Sequence, residues 1–274
     1  MKIKIFLPIL IFTIGFLYFN NNYIVTRKID IHSRKTPLEL NDFKIVQISD
    51  LHSKSFGKNQ RKLINSVKNQ KPNLIVLTGD MVDRRRYNEK PVIDLVKEVI
   101  KIAPTYYITG NHEIWSGNFN QLQNKLTSIG VRVLRNEIEE IKIGNEKIYI
   151  MGLDYPHGSK DDKEIVENTL TKLHSNIEND KFKILLAHRP DLIDTYSIFP
   201  LDLVFSGHAH GGQIRLPFMG GVIAPHQGFL PKYTSGLYKK HNTQMVVSRG
   251  LGNSLSPFRV FNFPEIITVT LYAQ

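Results

Sequence analysis

Cysteine is absent from all 274 residues. That one absence removes disulfide frameworks, thiolate-ligated zinc or iron–sulfur centres and every thiolate nucleophile. Any metal must therefore rest on His, Asp, Asn or Glu. Also missing are an internal repeat of fixed period, a low-complexity tract and a linker that would divide the chain. With 41% hydrophobic residues the chain reads as one large domain and not as a disordered polymer. The formal charge is +11, but no basic-aromatic repeat or nucleic-acid module accompanies it, so no specific nucleic-acid partner is expected.

Charge is missing altogether between Ile5 and Thr26. A spanning helix needs roughly 17 to 25 residues. Ile3 to Phe19 reaches the lower limit, and only the polar Asn20, Asn21 and Asn22 separate it from Tyr23, Ile24 and Val25. No small-residue cleavage site follows the run and no paired arginines precede it. The expectation is an N-terminal hydrophobic anchor helix, or uncleaved signal segment, over residues 1–28, with the folded body at 29–274. Lys2, Lys4 and the amino terminus precede the run, and Arg27, Lys28, Arg34 and Lys35 follow it. That balance leans toward a membrane-associated protein with a cytoplasmic body, an extracytoplasmic one being the alternative. Setting aside Lys2, Lys4, Arg27 and Lys28 leaves 32 basic against 25 acidic residues, so the body remains basic at +7 and suits an anionic surface or substrate.

The body begins as a series of strand, loop and helix. Phe43 to Ser49 is followed by Lys58 to Gln70, Asn73 to Thr78 by Pro91 to Ile102, and Thr105 to Thr109 by Phe119 to Ile129. Strands dominate the second half, at Glu139–Ile143, Lys147–Met151, Lys183–Ala187, Leu203–Ser206, Gln213–Leu216, Gln244–Ser248 and Ile266–Leu271, with a polar helix near Asp161 to His174. Such a mixture predicts an α/β fold of two sheets face to face with helices outside.

In α/β sheets, functional groups gather at the carboxyl ends of strands. Here those ends carry Asp50-Leu-His52, Gly79-Asp80, Gly110-Asn111-His112-Glu113, His188 and Gly207-His208-Ala209-His210. Taken singly, each is an ordinary cap or turn residue. Five strand ends all offering carboxylate, amide or imidazole are poorly explained by independent capping and point to a metal centre.

The set resembles the signature of the calcineurin-like metallophosphoesterases over residues 43 to 272, and that resemblance implies a four-layer αββα sandwich. It also implies that one metal takes Asp50, His52 and His210, that the other takes Asn111, His188 and His208, and that Asp80 bridges them. Two divalent ions are expected, of Mn, Fe, Zn or Ni type. With them comes hydrolysis of a phosphodiester or pyrophosphate by a hydroxide held between the ions. His112, matching the family histidine that approaches phosphate and leaving group, takes the proton-donating or phosphate-holding role. Asp83 and Glu113 could support ligands, Arg84-Arg85-Arg86 could border the site mouth, and His226 and His241 stay outside the ligand set.

The segments Gly207–Arg215, Phe229–Tyr238 and Ser248–Gly252 look like the YaeI/YkuE type of membrane-associated bacterial phosphodiesterase. Relatives that cleave UDP-2,3-diacylglucosamine make a lipid-linked phosphoester substrate an expectation. Lys232, Tyr233 and Arg249 are the candidate substrate contacts. Rival readings are a protein or monoester phosphatase, a nuclease, and a membrane-tethered binding protein without activity.

Overall fold

A strand with no solvent-facing side needs partners on both faces. Leu74–Thr78, Thr105–Ile108, Lys183–Leu186 and Leu203–Ser206 are buried at every position. The computed structural model describes residues 2–156, 161–175, 177–178, 180–254 and 256–274. Its first half runs α1 (Lys2–Asn22), β1 (Val25–Ser33), β2 (Phe43–Ile48), α2 (Arg61–Lys68), β3 (Leu74–Thr78), α3 (Lys90–Val99), β4 (Thr105–Ile108), α4 (Asn111–Ser116), α5 (Phe119–Ile129) and β5 (Arg132–Val133). There follow β6 (Glu137–Ile143), β7 (Glu146–Gly152), α6 (Asp162–His174), β8 (Lys183–Leu186), α7 (Ile193–Tyr196) and β9 (Leu203–Ser206). Two short hairpins come next, β10 (Arg215–Leu216) with β11 (Gly220–Gly221) and β12 (Ile223–Ala224) with β13 (Gly228–Phe229). The chain closes with β14 (Gly236–Lys240), β15 (Thr243–Val247) and β16 (Glu265–Ala273).

One six-stranded sheet has the order β1-β16-β2-β3-β4-β5, and the other β14-β15-β9-β8-β7-β6. Their facing sides are written into the period of two along each strand. Ile45, Val76, Tyr106 and Ile108 of the first sheet meet Ile150, Ile184, Leu186, Phe205 and Val246 of the second in one buried cluster between the sheets. The intervening residues point the other way. Val46, Ile75, Leu77 and Tyr107 pack with Leu63, Val67, Leu95 and Leu122 from α2, α3 and α5. Leu185, Val204, Met245 and Val247 pack with Val166, Leu170 and Tyr196 from α6 and α7. The expected helix, sheet, sheet, helix layering is thereby formed. A one-residue slip in any central strand would exchange its two buried faces, which fixes the register.

Two features of the N-terminus bear on the expected anchor. The boundary drawn at residue 28 falls inside β1, which pairs in parallel with β16 from Val25↔Glu265 to Ser33↔Ala273, so Arg27 and Lys28 belong to the sheet. The uncharged run does form a helix, but among the described residues no helix is long and apolar enough to cross a membrane. Its polar end is claimed by the body. Asn20 and Asn21 are buried, and the Asn21 Oδ1 accepts hydrogen bonds from the Arg259 backbone N–H (3.1 Å) and the Asn253 side chain (2.8 Å).

Candidate metal centre

The strands of both sheets end at one edge, and two glycines let those ends meet. A Cβ on Gly79, whose φ is +86°, would lie 2.6 Å from the Gly110 nitrogen and 2.7 Å from His188 Nδ1. A Cβ on Gly207 would lie 2.1 Å from Ser49 Oγ and 2.4 Å from Asp50 Oδ2. Through this close approach β2 delivers Asp50 and His52, β3 Asp80, β4 Asn111, β8 His188, and β9 His208 and His210. All seven are buried.

Three clusters of possible ligands result among the described residues, Asp50, His52, Asp80 and His210 in one, Asp80, His188 and His208 in another, and His52, Asp83 and His112 in a third beside them. Asp80 belongs to the first two. Its Oδ2 stands 3.7 Å from His52 Nε2 and 3.3 Å from His188 Nε2, while Asp50 Oδ1 is 3.4 Å from His210 Nε2. The Nε2 atoms of His52 and His210 face each other at 3.0 Å, and two imidazole nitrogens so placed need a proton or a cation between them. Asn111 Oδ1 and His188 Nε2 are buried without a hydrogen-bond partner. An unsatisfied buried polar atom costs about 1–3 kcal/mol, and a cation would satisfy both. The donor set of imidazole, carboxylate and amide oxygen suits borderline divalent ions. The residues present therefore fit a pair of metals.

Supporting bonds orient these groups. The His188 Nδ1 donates to the Thr78 carbonyl at 2.7 Å, which turns Nε2 toward Asp80. Asp50 accepts from the His208 backbone (2.9 Å) and from Ser49 Oγ (2.5 Å). Glu113 is the hub. Its carboxylate accepts from the backbone N–H groups of Asp80, Met81, Val82 and Gly110 and from the Tyr107 hydroxyl, fastening the ends of β3 and β4 together. Asp83 binds the backbone of Arg85 and Arg86 and stands 3.8 Å from His52 Nδ1.

Burial and mutual charge set the protonation of the metal-free cluster. Burial pushes Asp50 up to about 7. Burial would raise Asp80 too, but the charge of His188, with His112 and His52 nearby, holds it well below the carboxylate range. For His188 burial acts downward, yet Asp80 and Asp50 carry it up to about 9. Metal ligands must be deprotonated. His188 and Asp50 each hold a proton below those values, so metal affinity should fall as pH drops through 9 and 7. Calorimetric Mn²⁺ titration from pH 6 to 9 should show tightening affinity and protons released to buffer; affinity independent of pH would contradict this ligand set.

A cleft of about 170 Å³ opens over the cluster, lined by Asp80, Arg84, Arg85, Asn111, His112, Trp115, His208, His210, Pro225, His226 and Ser254. The His112 backbone donates to Asp80 Oδ1 at 2.8 Å, and its Nδ1 accepts from the Arg84 backbone at 3.1 Å. An imidazole accepting at Nδ1 carries its proton at Nε2. The Arg84 guanidinium lies 4.6 Å over the Trp115 ring, so the basic run does border the mouth.

The three candidate substrate contacts are not among the residues lining this cleft. Arg249 binds Glu265 through Nε and Nη2, both at 2.7 Å, and its stem lies against Gly211, beside His210. Tyr233 packs against Tyr238, ring centroids 5.1 Å apart, and Lys232 lies over the Tyr233 ring. Conversely, His226 enters the cleft. Its Nδ1 shares a 2.8 Å hydrogen bond with His208 Nε2. Nor did the sequence single out Tyr155, whose ring centroid is 6.0 Å from that of His188 and 5.8 Å from that of His208. Arg189 is a third such residue, tied to Asp162 and Asp191 directly after His188.

Comparison with known proteins agrees with this geometry. The model of the calcineurin-like phosphoesterase family matches residues 43–212. The chain belongs to the calcineurin-like metallophosphoesterases. This metallophosphoesterase is 34% identical over 260 residues to the uncharacterized metallophosphoesterase YkuE of Bacillus subtilis, covering 93% of this chain and 87% of that one. It is 30% identical over 237 residues to the phosphodiesterase YaeI of Escherichia coli, covering 84% and 82%. Among solved structures, TT1561 of Thermus thermophilus has a TM-score of 0.49 at 12% identity, covering 77% of this chain and 91% of that one. The metallophosphoesterase is thus a metal-dependent phosphoesterase.

Proposed function

We propose that this metallophosphoesterase hydrolyses phosphodiester or pyrophosphate bonds, with Asp50, His52 and His210 holding one divalent ion, Asn111, His188 and His208 the other, and Asp80 both. When bound, such a pair supplies Lewis acidity and a nucleophilic hydroxide near neutral pH. The observation that carries the reading is His112. With Nδ1 occupied by the Arg84 backbone, its proton sits at Nε2 in the cleft, available to a phosphoryl oxygen or to the departing ester oxygen. Arg84 and Arg85 line the same cleft as the ligands, and their charges could receive the second substituent of a diester or the second phosphate of a pyrophosphate. The likeness to YaeI, named a phosphodiesterase, supports the same class. A lipid-linked substrate at a membrane surface fits the uncharged N-terminal helix and the basic body.

The test compares full-length protein, loaded with Mn²⁺, on bis-nitrophenyl phosphate, nitrophenyl phosphate and a phosphopeptide. The diester should be turned over with the highest kcat/KM, by about tenfold or more, a difference of about 1.4 kcal/mol in transition-state binding. A comparable preference for the monoester or the phosphopeptide would replace this reading with that of a phosphatase.

A further inference from the structure

An imidazole has two ring nitrogens, and in its neutral form only one of them carries a proton. His208 is buried at the ligand cluster, and its Nε2 is taken up by His226 Nδ1 at 2.8 Å. The two rings are stacked, with centroids 5.0 Å apart and planes 30° apart. His226 itself is exposed and lines the metal cleft together with His112. The hairpin that carries it is fastened to the ligand segment. The Val222 backbone donates to the Gly212 and Ile214 carbonyls at 3.1 and 2.9 Å, just after His210. Gly212 and Gly221 approach so closely that a Cβ on Gly212 would lie 2.3 Å from the Gly221 Cα. On the far side of the turn, Gln227 accepts from the Tyr233 backbone N–H at 2.8 Å and donates to the Tyr233 carbonyl at 2.9 Å. An exposed histidine on a turn pinned at both ends keeps its place without being buried.

Proton bookkeeping then fixes both rings. A nitrogen that ligates a metal carries no proton. With Nε2 facing His226, the atom of His208 left for an ion is Nδ1, so its one proton lies at Nε2 and is donated to His226. His226 therefore accepts at Nδ1 and is neutral. Its own proton lies at Nε2, the nitrogen left for the cleft.

We propose that His226 is both a positioning residue and a substrate contact: its Nδ1 holds His208 with Nδ1 toward the second ion, and its Nε2–H donates to an oxygen of the bound phosphate. The phosphate is then met by two imidazole N–H groups, from His112 after β4 and from His226 on the β12–β13 turn. The proposal rests on the dimetal phosphodiester reading for what occupies the cluster and the cleft.

The test uses the full-length chain and two substitutions. His226→Ala removes acceptor and donor together, whereas in His226→Asn the side-chain oxygen stands in for Nδ1 and no group reaches the place of the Nε2 proton. Calorimetric Mn²⁺ titration should give two ions in the parent, with the affinity for one lowered about 10- to 100-fold in His226→Ala and recovered in His226→Asn. The other ion, on Asp50, His52 and His210, should bind all three proteins alike, which also shows that they fold. Inorganic phosphate added to the Mn²⁺-saturated proteins should bind His226→Asn about tenfold or more weakly than the parent, as the loss of a hydrogen bond to a charged group requires. Nitrogen-15 spectra of the parent loaded with Zn²⁺ should show His208 and His226 each protonated at Nε2 alone. The proposal would be overturned by His226→Ala binding both ions as the parent does, by His226→Asn failing to recover the weakened ion, by unchanged phosphate affinity in His226→Asn, or by a proton on His226 Nδ1. A parent that takes up fewer than two ions would overturn the dimetal reading beneath it, and that result appears before any substitution is made.

Discussion

Asp80→Asn should leave a folded protein with almost no hydrolytic activity. The amide keeps an oxygen for the His112 backbone N–H, now 2.8 Å from Oδ1, so the local turn survives. The other oxygen, between His52 and His188, loses its negative charge. A neutral amide cannot balance two divalent cations at once. Replacement of residues outside the ligand shell already costs about 10- to 100-fold in metal affinity or activity, so the loss here should exceed about 100-fold. Elemental analysis of the purified variant should show less than the parent's metal content, with the circular dichroism of the parent retained. A variant that stays active, or a parent that works fully after complete chelation, would remove the dimetal reading.

His112→Ala should behave differently, keeping metal while turnover drops. Its imidazole is placed by the neighbouring backbone and is not part of either cluster that contains Asp80, although it does stand with His52 and Asp83 in a third. Loss of a general acid slows reaction by about 10²- to 10⁴-fold. The size should depend on the leaving group. An alkoxide cannot depart without a proton, whereas nitrophenolate can, so the defect should be large with alkyl diesters and small with nitrophenyl ones. An equal defect with both would give His112 the task of holding a phosphoryl oxygen. Metal content measured on the same sample separates either outcome from collapse of the centre.

The parts of this molecule that could be read from the sequence are those written locally. Asp50, Asp80, Asn111, His188 and His208 each follow an apolar run, and the period of two in Ile75, Val76 and Leu77 sorts them to opposite faces of one strand. Where a role depends on a distant partner, local pattern falls short. Arg249 looks like a substrate contact until Glu265 is found beside it, sixteen residues on, with 2.7 Å bonds. His226 looks redundant because the ligand set is complete without it; only the β12–β13 turn sets it against His208. Glu113 shows itself as an acid near a ligand, but its five donors come from β3, β4 and the segments after them. At the N-terminus, hydropathy alone could not reveal that Val25 to Ser33 pairs with a strand at the far end of the chain.

Five of the seven candidate ligands, Asp50, His52, Asp80, His208 and His210, have φ between 48° and 68°. L-residues enter this left-handed region reluctantly, Asp, Asn and His less so than most. The sheets on either side hold the chain in that state by hydrogen bonds such as Asp50 N–H to the Gly79 carbonyl and His52 N–H to the Asp80 carbonyl. The centre is consequently shaped by its backbone before any ion arrives. Ligand exchange is then constrained twice over, by donor chemistry and by tolerance of the left-handed turn. Glutamate for Asp50, or a β-branched residue at any of the five, would fail on conformation even where charge or volume matched. Redesigning metal preference in this scaffold therefore has its freest positions at Asn111 and His188, the two ligands whose backbone imposes no such condition.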